Sequence, residues 1–217
     1  MKYNTVIYDL DGTLLYTLED LMNSVNYALD HYGYPHRNID EIRSFIGNGV
    51  AVLMKRSAPE NCPEDELKVM LDIFRPHYLE HMYDTTGPYD GVINMMKEIH
   101  EAGYKTAIVS NKLDPAVKEL DKMFFSGLTE LAIGAPSHAK KPDPTSVLIC
   151  INDLGSQVSE SIYIGDTDID IETAHNAGLK CIGVSWGFRG RKFLEEFNCD
   201  YIIDKPDELL PLLNSFN

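Results

Sequence analysis

Thr5-Val-Ile-Tyr-Asp-Leu-Asp-Gly-Thr-Leu14 decides how the rest of this 217-residue chain is read. Its first residues form a short apolar run, which suits a strand buried on both faces. Asp9 breaks that run near its C-terminal end. A carboxylate in such a place is costly unless something answers its charge. What matters next is which residues the later strands bring to the same edge.

Outward from this stretch the texture changes twice. From Thr17, the residues Leu18, Leu21, Met22, Val25, Ala28 and Leu29 recur at three- and four-residue steps, as on one face of a helix. Helical patterning continues through Met54 and again from Pro63 to His81, with breaks at Gly47-Asn48-Gly49, Pro59 and Pro63. No strand-like run is found between Leu15 and Pro88. After Gly91, helix and strand patterns alternate. Strands are expected at 105–110, weakly at 131–133, and at 161–165, 180–184 and 201–204. Helices are expected at 92–102, 114–124, 144–154, 170–177 and 208–213. This pattern predicts an α/β chain. Residues 1–14 and 89–217 form a Rossmann-like parallel sheet covered on both faces, and 15–88 are an all-helical insertion.

Composition narrows the function classes. With 19 Lys+Arg against 34 Asp+Glu, the formal charge is −15, which argues against nonspecific binding to nucleic acid or acidic membranes. The chain is 44% hydrophobic, too apolar for disorder, yet no stretch approaches the ~18 apolar residues of a membrane span. Cys62, Cys150, Cys181 and Cys199 are widely spaced and make no CxxC pair, so a reducing, cytoplasmic setting is expected.

Ligands of parallel sheets bind at the carboxyl ends of the strands. Here those positions hold Asp9 and Asp11, Ser110, and Asp166 with Asp170, while Lys141 stands in an intervening loop. One such aspartate alone is an ordinary turn former or helix N-cap; their recurrence at strand ends speaks for a site. Asp9 and Asp11, two apart on extended backbone, point the same way. Two close carboxylates repel unless a cation or hydrogen bonds offset them. With a further oxygen from Asp166, the hard ligand set suits Mg²⁺, and a phosphate ester would complete its shell. Lys141 would add a positive charge and Ser110 a hydrogen bond.

Asp9-Leu-Asp-Gly-Thr-Leu14, Val109-Ser-Asn111, Lys141-Pro-Asp-Pro144 and Gly165-Asp-Thr-Asp-Ile-Asp170 resemble, in order, the four motifs of the haloacid dehalogenase superfamily. The helical insertion stands where that superfamily places its cap. Phe45-Ile-Gly-Asn-Gly49, the Lys-Pro-x-Pro form of the third motif and Gly183-Val-Ser-Trp-Gly187 bring the chain nearest to the phosphoglycolate phosphatases.

The resemblance implies a Mg²⁺-dependent phosphatase acting on a small phosphorylated metabolite such as 2-phosphoglycolate. Asp9 would be the nucleophile that becomes an aspartyl phosphate, and Asp11 the acid and then the base. Asp9, the backbone carbonyl of Asp11, and Asp166 would hold Mg²⁺, with Asp170 supporting the metal or its waters. Ser110, Asn111 and Lys141 would bind phosphate. The family patterns select Lys141 over Lys140 and Asp170 over Asp168. Tyr16-Thr17 departs from the Asp-Ser pair common in relatives.

Several segments admit more than one reading. Gly47, Asn48 and Gly49 are either backbone donors over the substrate or an ordinary turn. His77-Tyr-Leu-Glu-His81 matches an inverted zinc-protease signature, but no third ligand is evident in the sequence. Trp186 and Phe188 read as rim packing, with Arg189 beside them a candidate substrate contact. A sugar-phosphate mutase of the β-phosphoglucomutase type shares all four motifs. A phospho-accepting receiver module is disfavoured by Asp11, two residues after the nucleophile, and by the insertion. Monomer and homodimer both remain open.

Overall fold

A computed structural model describes residues 2–135 and 139–216. The chain divides into two compact units, one of residues 1–16 and 88–217 and the other of 17–87. The boundaries fall one or two residues inside those expected at 14/15 and 88/89.

The first unit is built on six parallel strands: β1 (Thr5–Tyr8), β4 (Lys105–Leu113), β5 (Leu131–Ala135), β6 (Ser161–Gly165), β7 (Lys180–Val184) and β8 (Tyr201–Ile203). Their order is β5-β4-β1-β6-β7-β8, so the first strand lies at the middle. Val6 is paired with Thr106 on one side and Ile162 on the other. Every β1 residue is buried, as an apolar run without alternation requires. On one face Ile7 joins Ala107, Val109, Tyr163 and Cys181 under Val147, Cys150 and Ile151 of α7 (Thr145–Asp153) and Ile171 and Ala174 of α8 (Asp168–Asn176). Each such fully buried aliphatic side chain stabilises the fold by roughly 1.5–3 kcal/mol. α5 (Val92–Glu101), α6 (Asp114–Phe124), α9 (Gly190–Glu196) and α10 (Leu209–Ser215) complete the unit.

The second unit holds α1 (Leu18–Asp30), α2 (Ile39–Phe45), α3 (Val50–Ser57) and α4 (Glu64–His81). The apolar stripe read from the sequence is the buried face of α1: Leu18, Leu21, Val25, Ala28 and Leu29. Asn38 caps α2, its side chain accepting from the backbone of Asp40 and Glu41.

Several boundaries differ from expectation. Helical patterning across Tyr32–Pro35 is interrupted, because Gly33 takes φ +65° and Pro35 follows. Pro76 lies inside α4 without ending it. Two-residue strands, β2 (Leu15–Tyr16) and β3 (Gly87–Pro88), form a separate sheet where none was expected. α8 begins at Asp168 rather than Asp170, and α9 was not anticipated. β4 runs past Ser110 to Leu113, and between Val109 and Leu113 it advances four residues while β5 advances two. Such a bulge re-aims side chains at a sheet rim, and it contains Ser110, Asn111 and Lys112.

Candidate active site

Asp9 follows directly on β1, and its N–H extends the ladder by donating to the Ile164 carbonyl at 2.8 Å. The backbone then turns at Gly12 (φ +88°), where a Cβ would also run into the Asp166 carboxylate. Asp166 follows β6 in the same way, so two adjacent parallel strands deliver two carboxylates to one edge. Gly165 and Gly187 make room for the acids as well. A Cβ on Gly165 would collide with Asp170, and one on Gly187 with Asp166.

Asp9, Asp166 and Asp170 are buried and place carboxylate oxygens within 4.8 Å of one another. Among the described residues this is the one group of three or more side chains able to hold a metal. Lys141, also buried, puts Nζ 2.8 Å from Asp9 Oδ1 and 2.7 Å from Asp170 Oδ1, and donates to the Tyr163 hydroxyl at 3.0 Å. Tyr163 donates in turn to the Val109 carbonyl at 3.1 Å. The lysine's backbone is clamped by Asn111, whose Oδ1 accepts from Lys141 N–H at 2.8 Å and whose Nδ2 donates to its carbonyl at 3.0 Å.

The carboxylates differ in how far the protein satisfies them. Asp170 Oδ2 accepts from the N–H groups of Asp166 and Thr167 and from the Thr167 hydroxyl, while Oδ1 takes Lys141. Its oxygens are engaged in bracing Lys141 and the start of α8. Asp166 accepts once on each oxygen, from the Thr13 hydroxyl at 3.1 Å and from Phe188 N–H at 2.8 Å. Asp9 Oδ1 has the Lys141 ammonium 2.8 Å away and, among the described residues, no other donor.

The charges respond to this arrangement. Burial pushes the Asp9 carboxyl up to about 7; Lys141 pulls it back, while Asp170 and Asp11 add to the rise. Asp166 is held well above the usual carboxylate range by burial and then by Asp170 and Asp9. For Lys141, burial alone would favour the neutral amine, but Asp170 and Asp9 more than reverse this and keep it charged. A cation added between Asp9 and Asp166 would relieve the repulsion. The under-satisfied, all-oxygen donor set fits a hard divalent ion such as Mg²⁺.

The expected residues therefore divide. Asp9, Asp166, Asp170 and Lys141 come together, with Asn111 fixed to the lysine. Ser110 is buried beside them in sequence, its Oγ accepting from Lys112 N–H at 3.3 Å. The Asp11 side chain does not join the acid cluster and pairs with Lys112 at 2.7 Å. Gly47, Asn48 and Gly49 lie in the second unit as the link from α2 to α3, with Gly47 at φ +108° and Gly49 at φ +81°. His77 bonds Ser24 at 3.0 Å and stacks on Tyr27, and His81 bonds Asp84 at 2.9 Å. Among the described residues they find no third metal ligand.

Trp186 and Phe188 do more than pack at the rim. Trp186 Nε1 donates to the Thr13 carbonyl at 3.0 Å, and Phe188 N–H holds Asp166. Arg189 lies 5.7 Å over the Phe193 ring. Lys112, Thr13 and Tyr163 were not singled out from the sequence. Lys112 carried a usable signal, a charged residue continuing a buried strand; Tyr163 reads as ordinary core.

Known proteins resemble this chain in sequence and fold. Residues 6–184 match the model of the haloacid dehalogenase-like hydrolases. A phosphoglycolate phosphatase of Aquifex aeolicus (strain VF5) is 31% identical over 97% of this chain and 96% of its own. The pyrophosphatase PpaX of Bacillus mycoides (strain KBAB4) is also 31% identical, over the whole of both chains. A crystal structure from Lactobacillus delbrueckii subsp. bulgaricus superposes with a TM-score of 0.89 at 34% identity, covering 96% of this chain and 97% of that one. The acid cluster at the strand ends, its buried lysine and a match spanning nearly the whole chain lead to one assignment: this protein belongs to the haloacid dehalogenase-like hydrolases.

Proposed function

We propose that this hydrolase is a Mg²⁺-dependent phosphatase of small phosphate monoesters, with 2-phosphoglycolate the leading substrate, working through an aspartyl phosphate on Asp9. The observation that carries the reading is a buried, under-satisfied Asp9 at the end of the central strand, ion-paired to a buried Lys141. Asp9 and Asp166, with the backbone carbonyl of Asp11, would hold the ion. Bound Mg²⁺ supplies charge neutralisation of the phosphoryl oxygens.

In the first half-reaction an Asp9 oxygen forms a bond to phosphorus as the ester P–O bond breaks. The leaving oxygen takes the electron pair of that bond and the proton of Asp11, and departs as the alcohol. In the second, Asp11 takes a proton from water, the water oxygen attacks phosphorus, and the bond to Asp9 breaks to release phosphate. Lys141 stays charged and holds Asp9 in place, while Ser110 and backbone N–H groups donate to the phosphoryl oxygens. The helical unit is read as the family's cap, contributing substrate contacts that include Gly47, Asn48 and Gly49.

Cytoplasmic residence is part of the same reading. It is supported by free thiols at Cys62, Cys150, Cys181 and Cys199 and by the finding that no described helix is long and apolar enough to cross a membrane. Pyrophosphate is the second reading, because relatives named for it match as well as those named for phosphoglycolate.

The test is phosphate release from 2-phosphoglycolate, other small monoesters and pyrophosphate, with Mg²⁺ or a chelator. Release from 2-phosphoglycolate with Mg²⁺ is expected to lead the panel. Asp9→Asn should lose on the order of 10⁴-fold or more in kcat. Undiminished turnover in Asp9→Asn would sink the nucleophile assignment, and an isomerised sugar phosphate without free phosphate would make the protein a mutase.

A further inference from the structure

Lys112 is a buried lysine outside the four motifs: its side chain is 2% exposed, and its ammonium lies 2.7 Å from Asp11 Oδ1. The Asp11 side chain is 20% exposed, and among the described residues Lys112 is its one hydrogen-bond partner. An ammonium group is costly to bury, and an ion pair to a partly hydrated carboxylate returns little stability. Most lysine pairs elsewhere keep the ammonium in water, as do Lys118–Asp114 and Lys180–Asp200, with lysine side chains 62% and 55% exposed. Lys112 reaches Asp11 from the bulged end of β4, where its own N–H is tied to Ser110 Oγ. This build suits the aiming of a side chain.

We infer that Lys112 is a positioning residue for Asp11, fixing that carboxyl group in the orientation from which it reaches the leaving oxygen. The inference rests on the reading of Asp11 as acid and base. An unanchored carboxyl group samples several rotamers, and misplacement of a reacting group by about 1 Å can cost ~10²-fold. The effect should fall on the proton transfer and leave phosphoryl binding in place. In the first half-reaction substrates then divide by leaving group, whereas the second is common to all. An alkoxide needs the Asp11 proton as it departs, whereas 4-nitrophenolate leaves as the anion.

The test is kcat and KM of the Mg²⁺-loaded enzyme on a small alkyl phosphate and on 4-nitrophenyl phosphate, for wild type, Lys112→Met, Asp11→Asn and the double variant. Lys112→Met is expected to lose about 30-fold in kcat/KM on the alkyl ester and less than about 3-fold in kcat/KM on the aryl ester. That ratio reports the step in which the leaving group departs, while hydrolysis of the shared aspartyl phosphate, which needs Asp11 as base, slows alike for both. The double variant should fall within about 3-fold of Asp11→Asn alone, because a residue acting through Asp11 has nothing further to remove. If Lys112→Met does not fold, Lys112→Gln replaces it in the same cycle.

Equal losses in kcat/KM on both esters would overturn the inference and make the pair a fold contact. A Lys112 effect that persists in Asp11→Asn and appears mainly in KM for esters with anionic leaving groups would also overturn it, by placing Lys112 on the substrate. If Asp11→Asn keeps full activity on the alkyl ester, the acid–base reading fails first and the inference with it.

Discussion

Both units bury a carboxylate, and they treat it in opposite ways. Asp20 of α1, buried in the helical unit, accepts from Thr85 N–H at 3.0 Å, the Thr85 hydroxyl at 2.6 Å and Thr86 N–H at 2.9 Å. It also stands in the first turn of its helix, where the dipole favours negative charge. Asp9 and Asp166, in the sheet unit, are buried against each other and against Asp170, and are pushed towards protonation. One carboxylate is closed by its fold. The others are held in a state that an added cation would improve. Burial of charge is thus not by itself a mark of function; burial without enough donors is.

The largest expected effect comes from removing the cation that holds the sheet unit's acids together. Lys141→Met leaves Asp9 and Asp170 buried without their shared ammonium. Breaking a buried pair in this way costs about 3–5 kcal/mol, and under the proposed mechanism loss of the charge that holds Asp9 in place removes a further ~10²–10³-fold in kcat. Denaturant unfolding and phosphate release check the two parts separately. A variant as stable as wild type would show that Lys141 does not offset the acids' repulsion.

A smaller effect tests whether the acids want a metal. The folded Asp9 value of about 7 lies above the ~3.9 of an unfolded aspartate, so the folded state binds the extra proton between those limits. Without metal, stability should therefore fall as pH rises from about 4 to 7, and Asp166 acts in the same direction. The thermal midpoint of the chelated protein should be a few degrees lower at pH 7.5 than at pH 5, and millimolar Mg²⁺ should restore it at pH 7.5. A midpoint indifferent to Mg²⁺ would mean the cluster is closed, as Asp20 is.

The contrast also explains what the sequence made legible. Asp9, Asp11, Asp166 and Asp170 stand out because polar residues at the ends of apolar runs are visible locally, and so was the amphipathic stripe of α1. What escaped depends on contacts made only by folding. Lys112 meets Asp11 across 101 positions and Thr13 meets Asp166 across 153. Tyr163 lies in a strand whose neighbours are all core, and no local pattern separates it from them. The end of α1 was missed for a different reason: the apolar period runs on past Gly33, and the left-handed turn there overrides it. Even Asp20 was unreadable as a closed carboxylate, since its donors lie 65 and 66 positions away.

The smallest effect probes that closed carboxylate. Asp20→Asn keeps one acceptor oxygen but turns an amide towards Thr85 and Thr86, whose N–H groups are themselves donors. At least one donor loses its partner, at a cost of about 1–3 kcal/mol, which for a chain of this length lowers the midpoint by several degrees. Turnover measured well below that midpoint should stay within about 2-fold of wild type, because Asp20 has all its hydrogen bonds within the helical unit. A variant that kept its stability but lost activity would reverse the contrast, giving the helical unit's buried acid a part in the chemistry.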